Sequence, residues 1–117
     1  MSSKEVDVKK IIGHSYKPYT VDLSWIEMIL YAFSIGFSKD SKNTKDFKFT
    51  YELDENFTAF TTMPVVIAHR QLTEILSTPG VPEFNPMMFL HGEELIEIFK
   101  PINQGMKIRV EEKVVDF

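Results

Sequence analysis

The stretch TMPVVIAHRQLTEILSTPG, Thr62 to Gly80, decides the fold. Pro64 suits the first turn of a helix, because its missing N–H is one that no helical carbonyl would have bonded. Thr78-Pro79-Gly80 is a stop signal. Between these marks the pattern predicts one helix running through VVIAHRQLTEILS. Its first half, Val65 to Ala68, is apolar on every side, as expected of a helix enclosed by a sheet and not laid on a surface. The remaining segments are therefore read for strands that could enclose it.

Working outward, a second helix is expected upstream. Ser24-x-x-Glu27 is a capping box, with Leu23 and Met28 at the matching staple positions. Ile26, Ile29, Leu30, Phe33 and Phe37 follow at helical spacing, and Gly36 is placed to end the helix in a left-handed turn. SKDSKNTKD, Ser38 to Asp46, reads as a solvated loop. In FKFTYE the residues Phe47, Phe49 and Tyr51 alternate with Lys48, Thr50 and Glu52, the pattern of a half-buried strand. Downstream of the deciding stretch lies a proline-rich connection with the apolar cluster Met87-Met88-Phe89. Leu95 to Lys100 and Met106 to Phe117 read as two further strands joined by a turn at Pro101 to Gly105. In the last strand Met106, Ile108, Val110 and Val114 oppose Lys107, Arg109, Glu111 and Lys113, so one face is wet. Residues 1–20 form an N-terminal arm, and residues 21–117 form the domain.

The 117 residues suffice for one core. The apolar fraction of 44%, with ten phenylalanines, four tyrosines and one tryptophan, supplies large pieces of surface to bury. A net charge of −4, spread without a basic block, argues against nucleic acid as a partner. Without cysteine there is no disulfide, thiolate nucleophile or cysteine metal site. The longest apolar run, near Trp25 to Phe37, is interrupted by Glu27 and Ser34 and is too short to span a bilayer. MSSKEVDVKK lacks the apolar core of a signal peptide, Glu5 and Asp7 count against a transit peptide, and VVDF is not a peroxisomal Ser-Lys-Leu address.

Among candidate sites, FLHGEELIEIFKP places His91 beside Glu93 and Glu94, as general acid–base chemistry could use. In an extended segment His91 and Glu93 share a face, Glu94 points away, and Gly92 marks a bulge or a close backbone approach. The structural reading is favoured for a histidine with no visible partner. His69 reads as a satisfied core or rim histidine, and His14 has no assigned role. Glu52 ends the FKFTYE strand on its polar face, where Arg70 or Arg109 could pair with it. Trp25 reads as packing. No metal-ligand spacing, P-loop, GxGxxG or GxSxG occurs. The aromatic stripe Phe33, Phe37, Phe47, Phe49 and Tyr51 is core on one reading and an apolar acyl pocket on the other.

Taken in order, WIEMILYAFSIGFS, KDFKFTYELDENFTAFTTMPVVIA, FLHGEELIEIFKPI and GMKIRVEEKVVD resemble the N-terminal half of the 2-enoyl-CoA hydratase 2 family, the MaoC-like hydratase portion of peroxisomal multifunctional enzyme type 2. The resemblance implies an α+β hot-dog fold, a long central helix wrapped by a curved antiparallel sheet, with two such halves in tandem. It implies reversible hydration of trans-2-enoyl-CoA to (3R)-hydroxyacyl-CoA with no metal or redox cofactor. The family's Asp-x-Asn-x-x-His motif lies in the C-terminal half, while the N-terminal half accommodates the acyl tail. Here Asp54-Glu55-Asn56 begins like that motif, but the histidine position holds Ala59, so no catalytic residue is assigned. The Leu90-His91-Gly92-Glu93 sequence matches the N-terminal half's own signature, where His91 and Gly92 shape the start of a strand and Glu93 anchors it. Glu52 falls on a supporting glutamate.

The expectation is thus an acyl-binding half, inert alone, either cut from a tandem enzyme or encoded separately, with Phe33, Phe60, Met63, Met87, Met88 and Phe89 as acyl-pocket candidates. Its partners would be an acyl-CoA or enoyl-CoA and either a catalytic hot-dog half or a second copy, because a lone sheet exposes an apolar edge. Family resemblance points to the peroxisome, with mitochondrion or cytoplasm as alternatives. A scaffold subunit that kept only the fold is the second hypothesis. An enzyme using His91 and Glu93 is the third.

Overall fold

The computed structural model describes residues 5–69 and 72–117, the side chains of Leu72 and Thr73 aside. It is a small α+β arrangement with the order α1 (Val8–Ile11), β1 (Tyr19–Asp22), α2 (Trp25–Ser34), α3 (Phe47–Thr50), α4 (Met63–Ile67), α5 (Leu72–Leu76) and β2 (Lys107–Val110). The chain divides into two compact units. One holds residues 20–68 and 96–109, and the other holds residues 5–19, 69–95 and 110–117. Among the described residues no helix is long and apolar enough to cross a membrane.

In the first unit α2 forms where its signals place it. The Glu27 N–H donates to Ser24 Oγ at 3.3 Å and the Ser24 N–H donates to Glu27 Oε2 at 3.0 Å, so the capping box closes in both directions. Gly36 then takes φ 106°, a conformation that costs a residue with a Cβ but not glycine. Leu23 and Met28, the staple pair, are buried with Ala59 and Met63, and Tyr31, Phe57, Ile67, Ile102 and Ile108 pack around them. Full burial of an aliphatic side chain of this size is worth roughly 1.5–3 kcal/mol, so these few residues anchor α2, α4 and β2 together.

The sheet is smaller than expected. It consists of β1 and β2, with Leu23 N–H donating to Met106 O at 2.9 Å and Gly105 N–H returning to Leu23 O at 2.9 Å. Within β2 the wet face appears as read, with Ile108 and Val110 inward and Lys107 and Arg109 exposed. Leu95 to Lys100 forms no ladder, and its residues are exposed, so the strand expected there has nothing to pair with among the described residues.

Two other elements differ from expectation. FKFTYE is helical over Phe47–Thr50, preceded by a 3₁₀ turn at Thr44–Asp46. Local side-chain bonds override the alternation: Asn43 Oδ1 accepts from Lys45 N–H, and Asp46 accepts Ser38 N–H on its carboxylate and the Thr50 hydroxyl on its carbonyl. The faces change accordingly. Phe47 meets Tyr51 one turn on at 5.9 Å, while Phe49 turns toward Phe37 and Phe60. In place of the long central helix stand α4 and α5, of five residues each. Helix α4 begins without a side-chain cap at Thr62, and Ala68 leaves the helical region at φ −93°, ψ 1°. Its interior, Val65-Val66-Ile67, is a β-branched run that loses rotamer freedom in a helix. Arg70, which the long helix would have carried and which was considered as a partner for Glu52, lies outside the described residues.

The second unit is organised around a close approach at Gly80. Asp7 N–H donates to Gly80 O at 3.0 Å, and a Cβ on Gly80 would lie 2.5 Å from Asp7 O and 3.0 Å from Ile11 Cγ1. Its φ of +93° adds a second reason for glycine at this stop signal. Beside it Ile11 and Thr78 are buried, and the Thr78 hydroxyl is hydrogen-bonded to the Tyr16 hydroxyl. An antiparallel bridge pairs Ser15 with Lys113, flanked by Gly13 N–H to Val114 O at 2.8 Å and Val114 N–H to His14 O at 2.9 Å.

Candidate functional site

The first unit forms a cleft of about 420 Å³ that is open to solvent on one side, within the span of roughly 300–1,000 Å³ of small-molecule sites. Local geometry builds its walls. Thr58 N–H donates to Lys48 O at 2.9 Å, which ties the segment after α3 back onto that helix. Ala59 N–H and the Thr58 hydroxyl both reach Ile102 O, at 3.2 and 3.3 Å, which holds the segment Ile98 to Ile102 as the opposite wall. Phe37, Phe49 and Phe60 pack with ring centroids 4.9 to 5.2 Å apart, Phe60 tilted against Phe37 and edge-on to Phe49. Pro64, in the first turn of α4, contributes to the same lining.

Among the described residues the lining is apolar apart from Lys48, Lys100 and the hydroxyls of Thr58 and Thr61, and contains neither histidine nor carboxylate. Such a wall can hold a hydrocarbon chain. It offers no pair of groups able to take a proton from water and deliver one to carbon.

The candidate residues distribute over both units. In the first, Phe60 lines the cavity, whereas Met63 is buried in the core and Phe33 is 51% exposed on α2. Glu52 is half-buried after α3. In the second, Met87 and Met88 are exposed at 87% and 76%. Phe89 stacks on Phe84 at 6.3 Å and lines a separate cavity of about 350 Å³ with Ile11, Tyr16 and Phe117. His91 Nε2 lies 2.9 Å from Glu94 Oε2 and 3.1 Å from the Glu93 carbonyl oxygen. The histidine therefore turns to Glu94, the carboxylate that an extended segment would have pointed away, because no strand forms there. All of this lies in solvent, where a polar contact between two side chains contributes little to stability. Gly92 has no left-handed φ, and a Cβ there would meet nothing within 4 Å. Among the described residues no group of three histidines or carboxylates could hold a metal ion.

Sequence reasoning missed the wall from Ile98 to Ile102 and the two lysines. The signal was Phe99-Lys100-Pro101, where a proline closes an apolar run, but assigning that run to a strand hid its role as a lining.

A family model for the MFE-2 hydratase 2 N-terminal domain matches residues 22–117. The chain belongs to that family. A probable enoyl-CoA hydratase 2 of Dictyostelium discoideum is 40% identical over 99 residues, covering 83% of this chain and 32% of that protein. The peroxisomal multifunctional enzyme type 2 of Mus musculus is 30% identical over 107 residues, 90% of this chain and 14% of that protein. The peroxisomal hydratase-dehydrogenase-epimerase of Neurospora crassa is 31% identical over 93 residues, 80% of this chain and 10% of that protein. This hydratase 2 N-terminal domain thus spans about a third or less of each of these relatives. No solved structure matches it.

Proposed function

We propose that this hydratase 2 N-terminal domain is the acyl-chain-binding half of a 2-enoyl-CoA hydratase 2 acting in fatty acid β-oxidation. The cavity beside Phe60 receives the hydrocarbon tail of a trans-2-enoyl-CoA, and a catalytic hot-dog half carries out the hydration. A second copy of the domain is the other candidate partner. The names of the relatives support the reaction class, and two of those names support a peroxisomal setting.

The observation that carries the reading is the chemistry of the lining: apolar walls around an open volume, with no acid–base pair in them. Hydration needs a base for the attacking water and an acid for the α-carbon. Threonine hydroxyls do neither without a neighbouring base. The domain therefore binds and orients, and needs no metal or redox cofactor of its own. A scaffold that had lost the ligand would fill such a space with its own side chains, whereas Phe60 packs to the side of it.

The test is hydration of trans-2-decenoyl-CoA, followed as loss of the enoyl-thioester absorbance, by the chain alone and with a separately expressed catalytic half. The expected result is saturable binding without turnover by the chain alone, and turnover when the second half is added. Turnover by the chain alone would overturn the division of labour and return attention to His91 and Glu52. No binding and no complementation would leave the scaffold.

A further inference from the structure

We infer that Met87 and Met88 form an oxidation site, at which a hydroperoxide converts both thioethers to sulfoxides ahead of the other described methionines and turns an apolar surface polar. The site needs neither an acyl ligand nor a partner domain. Its backbone is a closed turn of the second unit. Asn85 Oδ1 accepts from Met87 N–H at 3.0 Å, Asn85 O accepts from Met88 N–H at 2.9 Å, and Pro86 O accepts from Phe89 N–H at 3.1 Å. Pro86 fixes φ inside the turn, and Phe84 and Phe89 stack across its two ends with their ring planes 25° apart. What this held turn presents to solvent is two sulfurs, on the exposed side chains of Met87 and Met88.

The other described methionines are shielded, each in its own way. Met28 and Met63 are buried in the core of the first unit, where an oxidant reaches sulfur only when the structure opens. Met106 is half-buried, and its Sδ accepts the Asn103 N–H at 3.3 Å, which occupies one of the lone pairs that an oxidant needs. Neither kind of shielding acts on the pair in the turn. There the sulfur lone pair attacks the outer oxygen of the hydroperoxide. The O–O bond breaks as the S–O bond forms, so sulfur gives up two electrons. The proton of the attacked oxygen passes to the departing one, which leaves as an alcohol or as water. The sulfoxide is polar, and reductases of methionine sulfoxide return it to the thioether. Met87, Met88, Phe89 and Leu90 are exposed and apolar in succession, so two sulfoxides change the character of that surface reversibly.

The experiment treats the full chain with hydrogen peroxide and follows every methionine separately by peptide mass, Met1 included. Met87 and Met88 are expected to take up oxygen about 10-fold or more faster than Met28 and Met63, because burial makes oxidation wait for opening. Met106 should fall between them. The chain oxidised at the pair should keep its denaturant midpoint and elute earlier from an apolar chromatographic matrix. Met87→Leu/Met88→Leu should fold as the wild type does, lose the fast uptake and keep its late elution after peroxide. A common rate for all the described methionines would mean that oxidation follows unfolding, and it overturns the inference. So does Met106 reacting ahead of the pair, or an elution that oxidation of the pair leaves unchanged.

Discussion

Helix α2 and the segment from Met63 to Leu76 each carry eight apolar residues, in ten and fourteen positions, yet the first is one helix of ten residues and the second, among the described residues, shows two helices of five. The difference lies at the ends and in the kind of apolar residue. Helix α2 starts from a closed capping box, separates its two β-branched residues, Ile26 and Ile29, by Glu27 and Met28, and stops at a left-handed glycine. Helix α4 starts at Met63 with no side-chain cap, has Pro64 as its second residue and completes itself with the β-branched Val65, Val66 and Ile67. A helix of the second kind depends on packing from all sides for its length. Among the described residues the sheet has two strands, which do not supply that packing.

The largest expected effect tests whether α2 stands on its ends or on its anchor. A ten-residue helix is below the roughly 12–15 residues at which even good sequences hold a helix in water. Met28, 1% exposed, should therefore matter more than any cap. Met28→Ala is expected to cost about 2–5 kcal/mol in denaturant unfolding. A loss below about 1 kcal/mol, within the reach of one cap, would mean that local signals alone sustain α2 and that the contrast with α4 is one of caps only.

The second effect isolates the cap. Ser24→Ala is expected to cost about 1 kcal/mol at neutral pH. The Ser24 N–H and hydroxyl, bonded to the Glu27 carboxylate, hold its pKa below the usual 4.5. A depressed folded-state pKa gives stability that is complete above 4.5 and is lost as the pH falls through the lower folded value. The gap between wild type and Ser24→Ala should therefore narrow on acidification below that point, and Glu27→Gln should remove the narrowing. An unchanged gap down to acid pH would mean that the bond from the Ser24 hydroxyl to Glu27 contributes nothing, since the backbone N–H of residue 24 can bond Glu27 in both proteins.

What was legible in the sequence follows the same division. The capping box, the staple pair, the Gly36 terminus and the turn at Thr78 to Gly80 are set by residues within a few positions of one another and stand where they were read, and β2 keeps its two faces but covers only Lys107–Val110 of the strand expected over Met106 to Phe117. The strand at FKFTYE was not legible from its alternation, because Asn43, Asp46 and Thr50 carry competing bonds to the backbone. The single long helix was not legible either, since its continuity depended on a surrounding sheet and not on its own residues. At the site, Phe60 could be chosen as a large apolar residue near a helix start. Lys48 and Lys100 could not, because they are 52 positions apart in sequence and become parts of one lining only through the hydrogen bonds of Thr58 and Ala59.

The smallest effect bears on α4 directly. Val66 lies inside that helix and is 54% exposed, so truncating it removes little buried surface while exchanging a β-branched residue for the best helix former. If the β-branched run limits α4, Val66→Ala should stabilise the chain by a few tenths and at most about 0.7 kcal/mol, with a small gain in helical circular dichroism. The sign decides the matter. A loss of similar size would mean that Val66 contributes more through the groove it lines together with Val21 and Leu30 than it costs in rotamer freedom. The shortness of α4 would then trace to its uncapped start and to Pro64, and the variant to make next would be at Thr62 and not within the run.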